Sequence, residues 1–392
     1  MVERGQPGSD SVDCLELPTV IHKYPESRRR SMMTGERAPP SASRAAHAGA
    51  LAFGRVRRDR PALCCAQPFL PELPVMKPPW WVLSVAIAAA AAAPAQARMQ
   101  YAPFAMVEHF GDRPVVQARI DTTPIALQVH SGASGTIEIT PEAADALGYR
   151  ERAASGRYGI DRSGHLAAAG ASRTTLRSLS VGPSVVADVP AFVHALPGAK
   201  VELPGAGEAG MLGVGWLRKA RAIVDFDGKR IGFPDQAGDS AAERARLVAA
   251  GYAALRMVWD EKEACYLIDA SLDGHPARLI VNTVSKGYLD LPSARAAKLK
   301  FGGRTGTAGG PGGASVPVHK PLKPVSVRIG GIDYGRIQPP AWDTGAYLSA
   351  ASAQGSGPIQ GALGATFWIA HKASIDFGDG WLLLAPPRRS DR

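Results

Sequence analysis

Cysteine is scarce in this chain, which limits the kinds of site it can build. Only four cysteines occur among 392 residues, and three of them, Cys14, Cys64 and Cys65, precede residue 76. Cys265 is alone in the rest of the chain, which can therefore form neither an internal disulfide nor a cysteine metal site. The histidines show no HExxH or similar spacing. The sequence therefore predicts no metal site and no cofactor.

Two further features are missing. The formal net charge is +10, but after residue 97 the basic residues are scattered among acidic ones and form no run with interleaved aromatic residues. This pattern argues against a nucleic-acid partner. No apolar run reaches the roughly 20 residues that a membrane-spanning helix needs. We therefore expect no membrane contact beyond an export signal.

An export signal is present, but it lies inside the chain. Met76-Lys77 is a short positive start, Trp80–Ala93 is an apolar run, and Ala95-Gln96-Ala97 has the small residues that a signal peptidase requires. The pattern predicts a signal peptide at 76–97, cleavage near Ala97, and a secreted or periplasmic protein. A type-II membrane anchor is the alternative.

The stretch before this signal does not have the pattern of a folded domain. Residues 1–75 are rich in Arg, Pro and Ser and show no sustained period of 2 or 3.6. We predict a disordered extension, or a segment that is not normally translated because Met76 is the true start.

After the signal, short alternating runs between Gly, Pro, Asn and Asp predict an all-β protein. The clearest of these runs are Val115–Ile120, Leu176–Val181 and Ala191–Val193. Asp239–Gly251 is expected to form a short capped helix or a linker. Gly302–Gly313 is so rich in glycine that we expect a mobile loop there.

A long segment occurs twice. Pro124–Tyr149 and Pro276–Lys300 align without a gap, 152 positions apart (276 − 124). Each copy has a buried apolar strand, a turn, a second strand and a short helix, which in the first copy begins at Thr140-Pro141. In this alignment His130 of the first turn matches Asn282 of the second.

A second block follows each copy at nearly the same spacing. Leu212-Gly213 matches Leu363-Gly364, and Val224-Asp225-Phe226 matches Ile375-Asp376-Phe377. Four blocks in the same order form a specific pattern, whereas one short motif would be weak.

This order of blocks resembles the retropepsin and pepsin-like aspartic proteases. The resemblance implies an all-β, bilobal acid-protease fold made of two retropepsin-like β-barrel lobes. We predict lobe one at 105–235 and lobe two at 253–387, with a linker at 236–252. His130 and Asn282 stand where this family has its two catalytic Asp residues, so the resemblance predicts the site and also the loss of its carboxylates.

The same resemblance implies further site residues. The binding residues would be Ser131, Gly132, Ser134, Thr283, Ser285 and the flap residue Tyr158, and the hydroxyls of Ser131 and Thr283 could tie the two loops together. Val284 stands in a glycine position. Because a β-branched residue resists positive φ, we expect the second loop to have drifted.

One intact Asp-Thr-Gly motif occurs elsewhere, at Asp343-Thr344-Gly345. It follows Pro339-Pro340, which is unfavourable for a central strand, and the repeat aligns it with an ordinary strand. We interpret it as a chance match.

The leading hypothesis is an exported monomer that has lost catalysis and binds an extended peptide in the cleft between the lobes. One alternative is an active endopeptidase that uses His130 and Asn282, or Asp343. Another is a structural or inhibitory envelope protein. Fold alone cannot choose among these.

Overall fold

The computed structural model describes residues 98–108, 112–156, 170–195, 208–261, 263–309, 315–344 and 359–387, and a short strand near the N-terminus. The rest of the 1–75 extension, the export signal at 76–97, Tyr158 and Gly345 lie outside these residues, so the predictions made for them stay predictions. Among the described residues, no helix is long and apolar enough to cross a membrane.

Strands dominate the described chain, which confirms the all-β prediction. The strands are β1 (Leu15–Glu16), β2 (Met99–Glu108), β3 (Asp112–Ile120), β4 (Thr123–His130), β5 (Ile137–Ile139), β6 (Ala153–Gly156), β7 (Ala171–Val181), β8 (Ser184–His194), β9 (Glu208–Gly213), β10 (Ile223–Asp225), β11 (Arg230–Pro234), β12 (Ala253–Arg256), β13 (Val258–Asp260), β14 (Cys265–Leu272), β15 (His275–Val281), β16 (Tyr288–Asp290), β17 (Phe301–Gly309), β18 (Ser315–Pro321), β19 (Val325–Ile329), β20 (Ile332–Ile337), β21 (Ala341–Trp342), β22 (Gly361–Leu363), β23 (Ser374–Asp376) and β24 (Trp381–Leu384). The helices are α1 (Pro141–Ala146), α2 (Val214–Lys219), α3 (Asp239–Ala249), α4 (Leu291–Ala296) and α5 (Ala365–Ala370).

The two copies of the sequence repeat build the same arrangement of strands. In the first copy, β4 is parallel to β9, β9 is antiparallel to β5, and β5 is parallel to β8. In the second copy, β15, β22, β16 and β21 follow the same order and directions. Val129 pairs with Leu212, and Val281 pairs with Leu363. We call the part built around β3–β9 lobe one and the part built around β13–β22 lobe two.

A shared antiparallel sheet joins the lobes. Val224 of β10 pairs with Ile375 of β23, flanked by the pairs Ile223–Asp376 and Asp225–Ser374. Because Val224 and Ile375 are matched residues of the repeat, this ladder is symmetric about their pair. Strands β24 and β12 extend the sheet on one side, and β11 and β2 extend it on the other. The fold is therefore bilobal, as predicted.

The Leu-Gly turns bring backbone close to backbone in each lobe. A Cβ on Gly213 would overlap the carbonyl oxygen of Gly135, and a Cβ on Gly364 would overlap that of Ser285. Only glycine permits this approach. Helices α2 and α5 begin directly after the two turns and bury Trp216 and Trp368 in the core.

The helix that follows each site loop begins with a side-chain cap. Thr140 Oγ1 accepts the backbone N–H of Ala143 at 3.1 Å, and Pro141 occupies the first turn, as predicted. In lobe two, Asp290 Oδ2 accepts the N–H of Ser293 at 2.9 Å. The two caps fix the chain where it leaves β5 and β16.

The prediction of a mobile loop over Gly302–Gly313 is wrong for the part that the structure describes. Phe301–Gly309 forms β17, antiparallel to β18, with register shifts between Phe301 and Gly306. Ala308 and Val318 are buried in this pair of strands. The partner strand supplies a hydrogen-bonding ladder, which outweighs the weak strand propensity of glycine. Residues 310–314 lie outside the described range.

The stretch predicted as helix or linker contains helix α3, Asp239–Ala249. Leu247 and Glu243 are its larger buried residues, and Glu243 accepts two hydrogen bonds from Arg246 at 2.6 and 2.7 Å. Helix α3 thus packs against the protein by one face. The exact domain boundaries stay predictions.

Candidate functional site

Each lobe presents a turn directly after a buried strand. His130 is the last residue of β4 and pairs with Gly213. Asn282 follows β15, and its backbone N–H donates to the carbonyl of Leu363 at 3.0 Å. Both residues are almost fully buried, with 4% and 1% of their surface exposed. The ends of two rigid strands therefore fix the positions of both side chains.

Two hydroxyls tie the turns together across the lobe interface. Ser131 Oγ donates to the carbonyl of Val281 at 2.7 Å and accepts the N–H of Thr283 at 3.0 Å. Thr283 Oγ1 in turn donates to the carbonyl of Val129 at 2.5 Å and accepts the N–H of Ser131 at 2.8 Å. The four bonds are reciprocal, so each turn holds the other in place.

Behind this tie, His130 and Asn282 approach the same point. A Cβ on Gly132 would lie 2.9 Å from Nε2 of His130 and 3.3 Å from Oδ1 of Asn282. Glycine at position 132 therefore leaves the room that the imidazole occupies. The matched position in lobe two holds Val284, which is buried beside the smaller Asn282.

The expected conflict between Val284 and positive φ does not occur. Neither Gly132 nor Val284 has a positive φ, whereas Ser285, one position later, has φ +67°. The N–H of Ser285 donates to the carbonyl of Asp112 at 2.9 Å, which holds the residue in this conformation. The positive φ on which we based the expected drift of the second loop therefore does not occur at Val284.

Burial controls the charge of His130. Removal from water lowers the pKa of this imidazole from 6.5 to about 4; the carboxylate of Glu138 raises it and the guanidinium of Arg113 lowers it further. Nδ1 lies 3.1 Å from the sulfur of Met211. At neutral pH His130 is therefore an uncharged imidazole and a weak base.

Asn282 contributes a neutral carboxamide. Its backbone carbonyl accepts the indole N–H of Trp368 at 2.7 Å, and its Oδ1 accepts the N–H of Val284 at 3.3 Å. A carboxamide neither gains nor loses a proton in the ordinary pH range. An imidazole and a carboxamide cannot share one acidic proton as two adjacent carboxyls do.

The fold is identified by two features. Each lobe has a turn at the end of a buried strand, and reciprocal hydroxyl bonds tie the two turns together above a shared sheet. The chain has an aspartic-protease-like fold. The expected likeness to retropepsin-like and pepsin-like proteins thus holds for its architecture, and the two tied turns hold His130 and Asn282.

No protein-family profile matches the chain, and no curated protein matches it. Solved structures do. An aspartic proteinase from Irpex lacteus is 12% identical over 75% of this chain and all of its own, with a TM-score of 0.42. A retropepsin-like aspartic protease from Rickettsia conorii is 18% identical over 35% of this chain and 92% of its own, with a TM-score of 0.26. The basic 7S globulin from soybean is 10% identical over 74% of this chain and 94% of its own, with a TM-score of 0.35. Sequence identities and TM-scores this low say nothing about activity. The fold is assigned from the strand pairing.

The other predicted site residues lie in different surroundings. Ser134 is partly buried and lines a cavity of about 510 Å³ together with Gly135, Arg173 and Phe192. Tyr158 is outside the described residues. The structure therefore brings His130, Ser131, Gly132, Asn282 and Thr283 together, with Ser134 and Ser285 at the margins.

The Asp343-Thr344 motif follows β21. Ala341 and Trp342 pair with Leu289 and Asp290, just as Ala191 and Phe192 pair with Ile137 and Glu138 in lobe one. The side chain of Asp343 is exposed, whereas Thr344 is buried. The hydroxyl of Thr344 donates to Asp290 Oδ1 at 2.6 Å. The motif thus follows the same strand of the lobe as Val193-His194 does in lobe one, and we base its interpretation as a chance match on this position.

Sequence reasoning missed a buried pair behind the first loop. His194 Nε2 lies 2.8 Å from Glu138 Oε2, and both side chains are at most 4% exposed. The repeat contained the signal, because Glu138 matches Asp290 and His194 matches Thr344 in the alignment. Each lobe thus places a carboxylate and its partner at the same two positions.

The described residues contain no group of three or more His, Cys, Asp or Glu side chains that could hold a metal ion. Cys265 is fully buried, and burial raises the pKa of its thiol well above the usual value. Its environment is that of a small core residue.

Proposed function

We propose that this chain is an exported protein that binds an extended peptide between its lobes and does not cleave it. One observation carries the proposal: the hydroxyl tie between the two loops is complete, whereas both positions that it supports hold non-carboxylate residues. Peptide binding needs the two loops to be held in place by the tie, whereas only cleavage needs the carboxylates.

The absence of cleavage follows from proton chemistry. Hydrolysis in this fold needs an ionised carboxylate to activate water and a protonated partner to donate to the scissile carbonyl. His130, with a pKa of about 4, is a poor proton acceptor at neutral pH. Asn282 supplies only hydrogen bonds.

Peptide binding is supported by the cavity beside the first loop. Its volume of about 510 Å³ is within the range of ligand pockets, and Ser134 and Thr174 place hydroxyl groups on its wall. The guanidinium of Arg173 lies 4.9 Å from the centre of the Phe192 ring. An extended peptide could place an apolar or acidic side chain there while its backbone pairs with neighbouring segments.

Export and a monomeric state remain part of the proposal. Export rests on the signal predicted at 76–97, and cleavage near Ala97 would release the two lobes outside the cytoplasm. Mass determination of the mature N-terminus tests this step, and a mature chain that begins at Met1 would contradict it.

A second candidate function is hydrolysis with His130 as general base. The observation in its favour is that the imidazole is uncharged above about pH 4 and faces Asn282, which could orient a water molecule. The two candidates differ in a single outcome, which is whether bound peptide is cut.

An unbiased peptide library separates them. The purified protein is incubated with the library at pH 4.5 and 7.5 beside His130→Ala, Asn282→Ala and Asp343→Ala, and both retained and cleaved peptides are sequenced. We expect retention without cleavage by the wild type. Cleavage lost only in His130→Ala would establish the second candidate, and cleavage lost only in Asp343→Ala would show that our alignment of the lobes is wrong.

A gain-of-function variant tests the scaffold. His130→Asp combined with Asn282→Asp restores two carboxyls at tied positions, and we expect it to cut the retained peptides near pH 4.5. The control is His130→Ala with Asn282→Ala, which should retain the same peptides uncut. If the wild type retains no peptide, the binding proposal fails, and a structural or inhibitory role is favoured.

A further inference from the structure

A second, larger cavity borders the lobe-two loop at Lys286. Its volume is about 1570 Å³, and its walls come from the β10–β11 turn, the β19–β20 hairpin, helix α5 and the chain after β24. None of His130, Ser131, Asn282 and Thr283 lines it. The proposed peptide cleft does not account for this space.

The charge on the walls of the cavity is unbalanced. Five basic residues line it, namely Lys229, Lys286, Arg328, Arg336 and Lys372, against two acidic residues, Asp227 and Asp333. Lys372 pairs with Asp227 at 3.0 Å, whereas Arg328 reaches Asp333 only at 3.9 Å and Arg336 reaches Asp273 only at 4.0 Å. Lys229 and Lys286 form no ion pair with any described residue. The cavity therefore has an excess of positive charge that an anion would neutralise.

One wall of the cavity is apolar. Ile369 is 37% exposed and Ile337 is partly buried, so both offer apolar surface to the cavity. The rings of Tyr334 and Phe367, which pack edge to face with ring centres 6.2 Å apart, are almost fully buried. The matched residue of Ile369 in lobe one is Arg218, which lies 3.7 Å from the centre of the Trp259 ring. The lobe-one position is thus covered by an aromatic residue, whereas Ile369 faces open space.

The shape of the edge strand argues for a small ligand over an added strand. Strand β20 ends its sheet, but Gly335 has φ +86°, and a register shift occurs between Ser326 and Arg328 of the neighbouring strand. Irregularities of this kind, with charged side chains and a nearby proline (Pro339), protect sheet edges from pairing with another chain.

We propose that this cavity binds a small amphiphilic anion. The phosphate or carboxylate head group is held by Lys229, Lys286 and Arg328, and the apolar part of the ligand packs on Ile337 and Ile369. The four residues His130, Ser131, Asn282 and Thr283 do not line this site, and the proposal does not depend on the function proposed for the peptide cleft.

Calorimetric titration of the full chain tests the proposal with three probes: monomeric decyl phosphate, inorganic phosphate and phosphatidylglycerol vesicles. We expect decyl phosphate to bind at least about 10-fold more tightly than inorganic phosphate, because apolar burial adds to the ionic contacts. Lys229→Gln with Arg328→Gln should weaken binding about 10-fold or more, since charge-assisted bonds are lost. The matched control, Lys298→Gln with Lys300→Gln, removes two charges elsewhere and should bind like the wild type.

The remaining outcomes identify the source of the anion or overturn the site. Ile369→Ser should weaken decyl phosphate and leave inorganic phosphate unchanged. Vesicle binding that is lost in the Lys229 and Arg328 variant would assign the head group to a lipid. The proposal is wrong if decyl phosphate does not saturate, if both double variants weaken binding equally, or if an acidic decapeptide binds this cavity in its place.

Discussion

Lobe one places ionisable imidazoles behind its site loop where lobe two places neutral side chains. His130 corresponds to Asn282, and His194, which contacts Glu138, corresponds to Thr344, which contacts Asp290. In the shared sheet the cross-strand partner is again charged in lobe one and neutral in lobe two. Asp225 of lobe one pairs across its hairpin with Arg230 at 2.9 Å, whereas Asp376 of lobe two is opposite Trp381.

The difference teaches that backbone geometry and charge are specified separately. The hydroxyl tie and the Leu-Gly turns are repeated in both lobes, although His130 and His194 of lobe one match Asn282 and Thr344 of lobe two. Two carboxyls held close together destabilise each other when both are ionised. An imidazole and a carboxamide at the two tied turns avoid this cost.

The largest effect should come from the buried pairs. His194→Ala leaves the carboxylate of Glu138 without this partner in a site from which water is excluded. We expect a loss of about 3 to 5 kcal/mol in unfolding free energy, measured by urea denaturation.

Thr344→Val is the matched change in lobe two. It keeps the shape of the side chain, and Asp290 retains the backbone N–H groups of Thr344 at 3.2 Å and Ser293 at 2.9 Å. The expected loss is about 1 to 2 kcal/mol. Equal losses of unfolding free energy in the two lobes would mean that the Glu138–His194 pair stabilises the protein no more than the Asp290–Thr344 pair does.

The hydroxyl tie should rank next. Ser131→Ala and Thr283→Ala each remove one donor and one acceptor between the lobes and leave buried backbone groups unpaired. We expect each change to cost about 3 kcal/mol, and the double change to cost less than the sum because the bonds are reciprocal. Thr283→Ser keeps the hydroxyl and serves as the control; a loss as large as that of Thr283→Ala would show that packing of the methyl group, and not the tie, is responsible.

Much of this scaffold could be predicted because it repeats. The ungapped alignment of Pro124–Tyr149 with Pro276–Lys300 includes the strands, the first turns and the helix caps, and the second block includes the Leu-Gly turns. Each of these depends on local residue types such as Thr140 and Gly213. The strand at Phe301–Gly309 could not be predicted in this way. It forms because β18 lies beside it, and local glycine content does not report a distant partner.

The site could be predicted in position and less well in environment. The repeat matched His130 with Asn282, but it could not indicate that burial shifts the pKa of the imidazole or that Met211 lies at its Nδ1. The conflict predicted for Val284 failed because the turn places its left-handed residue at Ser285. Such details depend on residues far apart in the chain.

After the hydroxyl tie, the next largest expected effect on stability depends on pH and comes from His130. Its pKa of about 4 in the folded protein is below the usual 6.5, so the unfolded chain binds the proton more tightly. Stability from this group is present above pH 6.5 and is lost as the pH falls towards 4. Between pH 7.5 and 4.5 the loss should be about 2.5 kcal/mol.

His130→Asn copies the residue of lobe two and should remove this loss. The measurement is urea denaturation of both proteins at pH 7.5 and 4.5. If the variant and the wild type lose equal stability on acidification, His130 is not the group that titrates. The wild type alone is a poor guide, because a second group acts in the opposite direction over the same range.

That second group is Asp376, and it gives the smallest effect. Burial raises the pKa of this carboxyl from 3.8 to about 6, and the neighbouring charge of Asp379 also raises it. Oδ1 accepts the N–H of Asp379 at 2.9 Å, and Oδ2 finds no partner among the described residues. The folded state therefore holds the proton more tightly, and stability from this group is lost as the pH rises from about 4 to 6.

Asp376→Asn should therefore remove a loss of about 2 kcal/mol between pH 4.5 and 7.5 and raise the melting temperature at pH 7.5. Asp225→Asn, the matched change in lobe one, should act in the opposite direction. It breaks the partly exposed bond to Arg230, for which a cost of up to about 1 kcal/mol is expected. Opposite signs at two positions related by the symmetry of one ladder would show that the cross-strand partner, arginine or tryptophan, determines whether this carboxylate stabilises the shared sheet. The same sign at both positions would show that it does not.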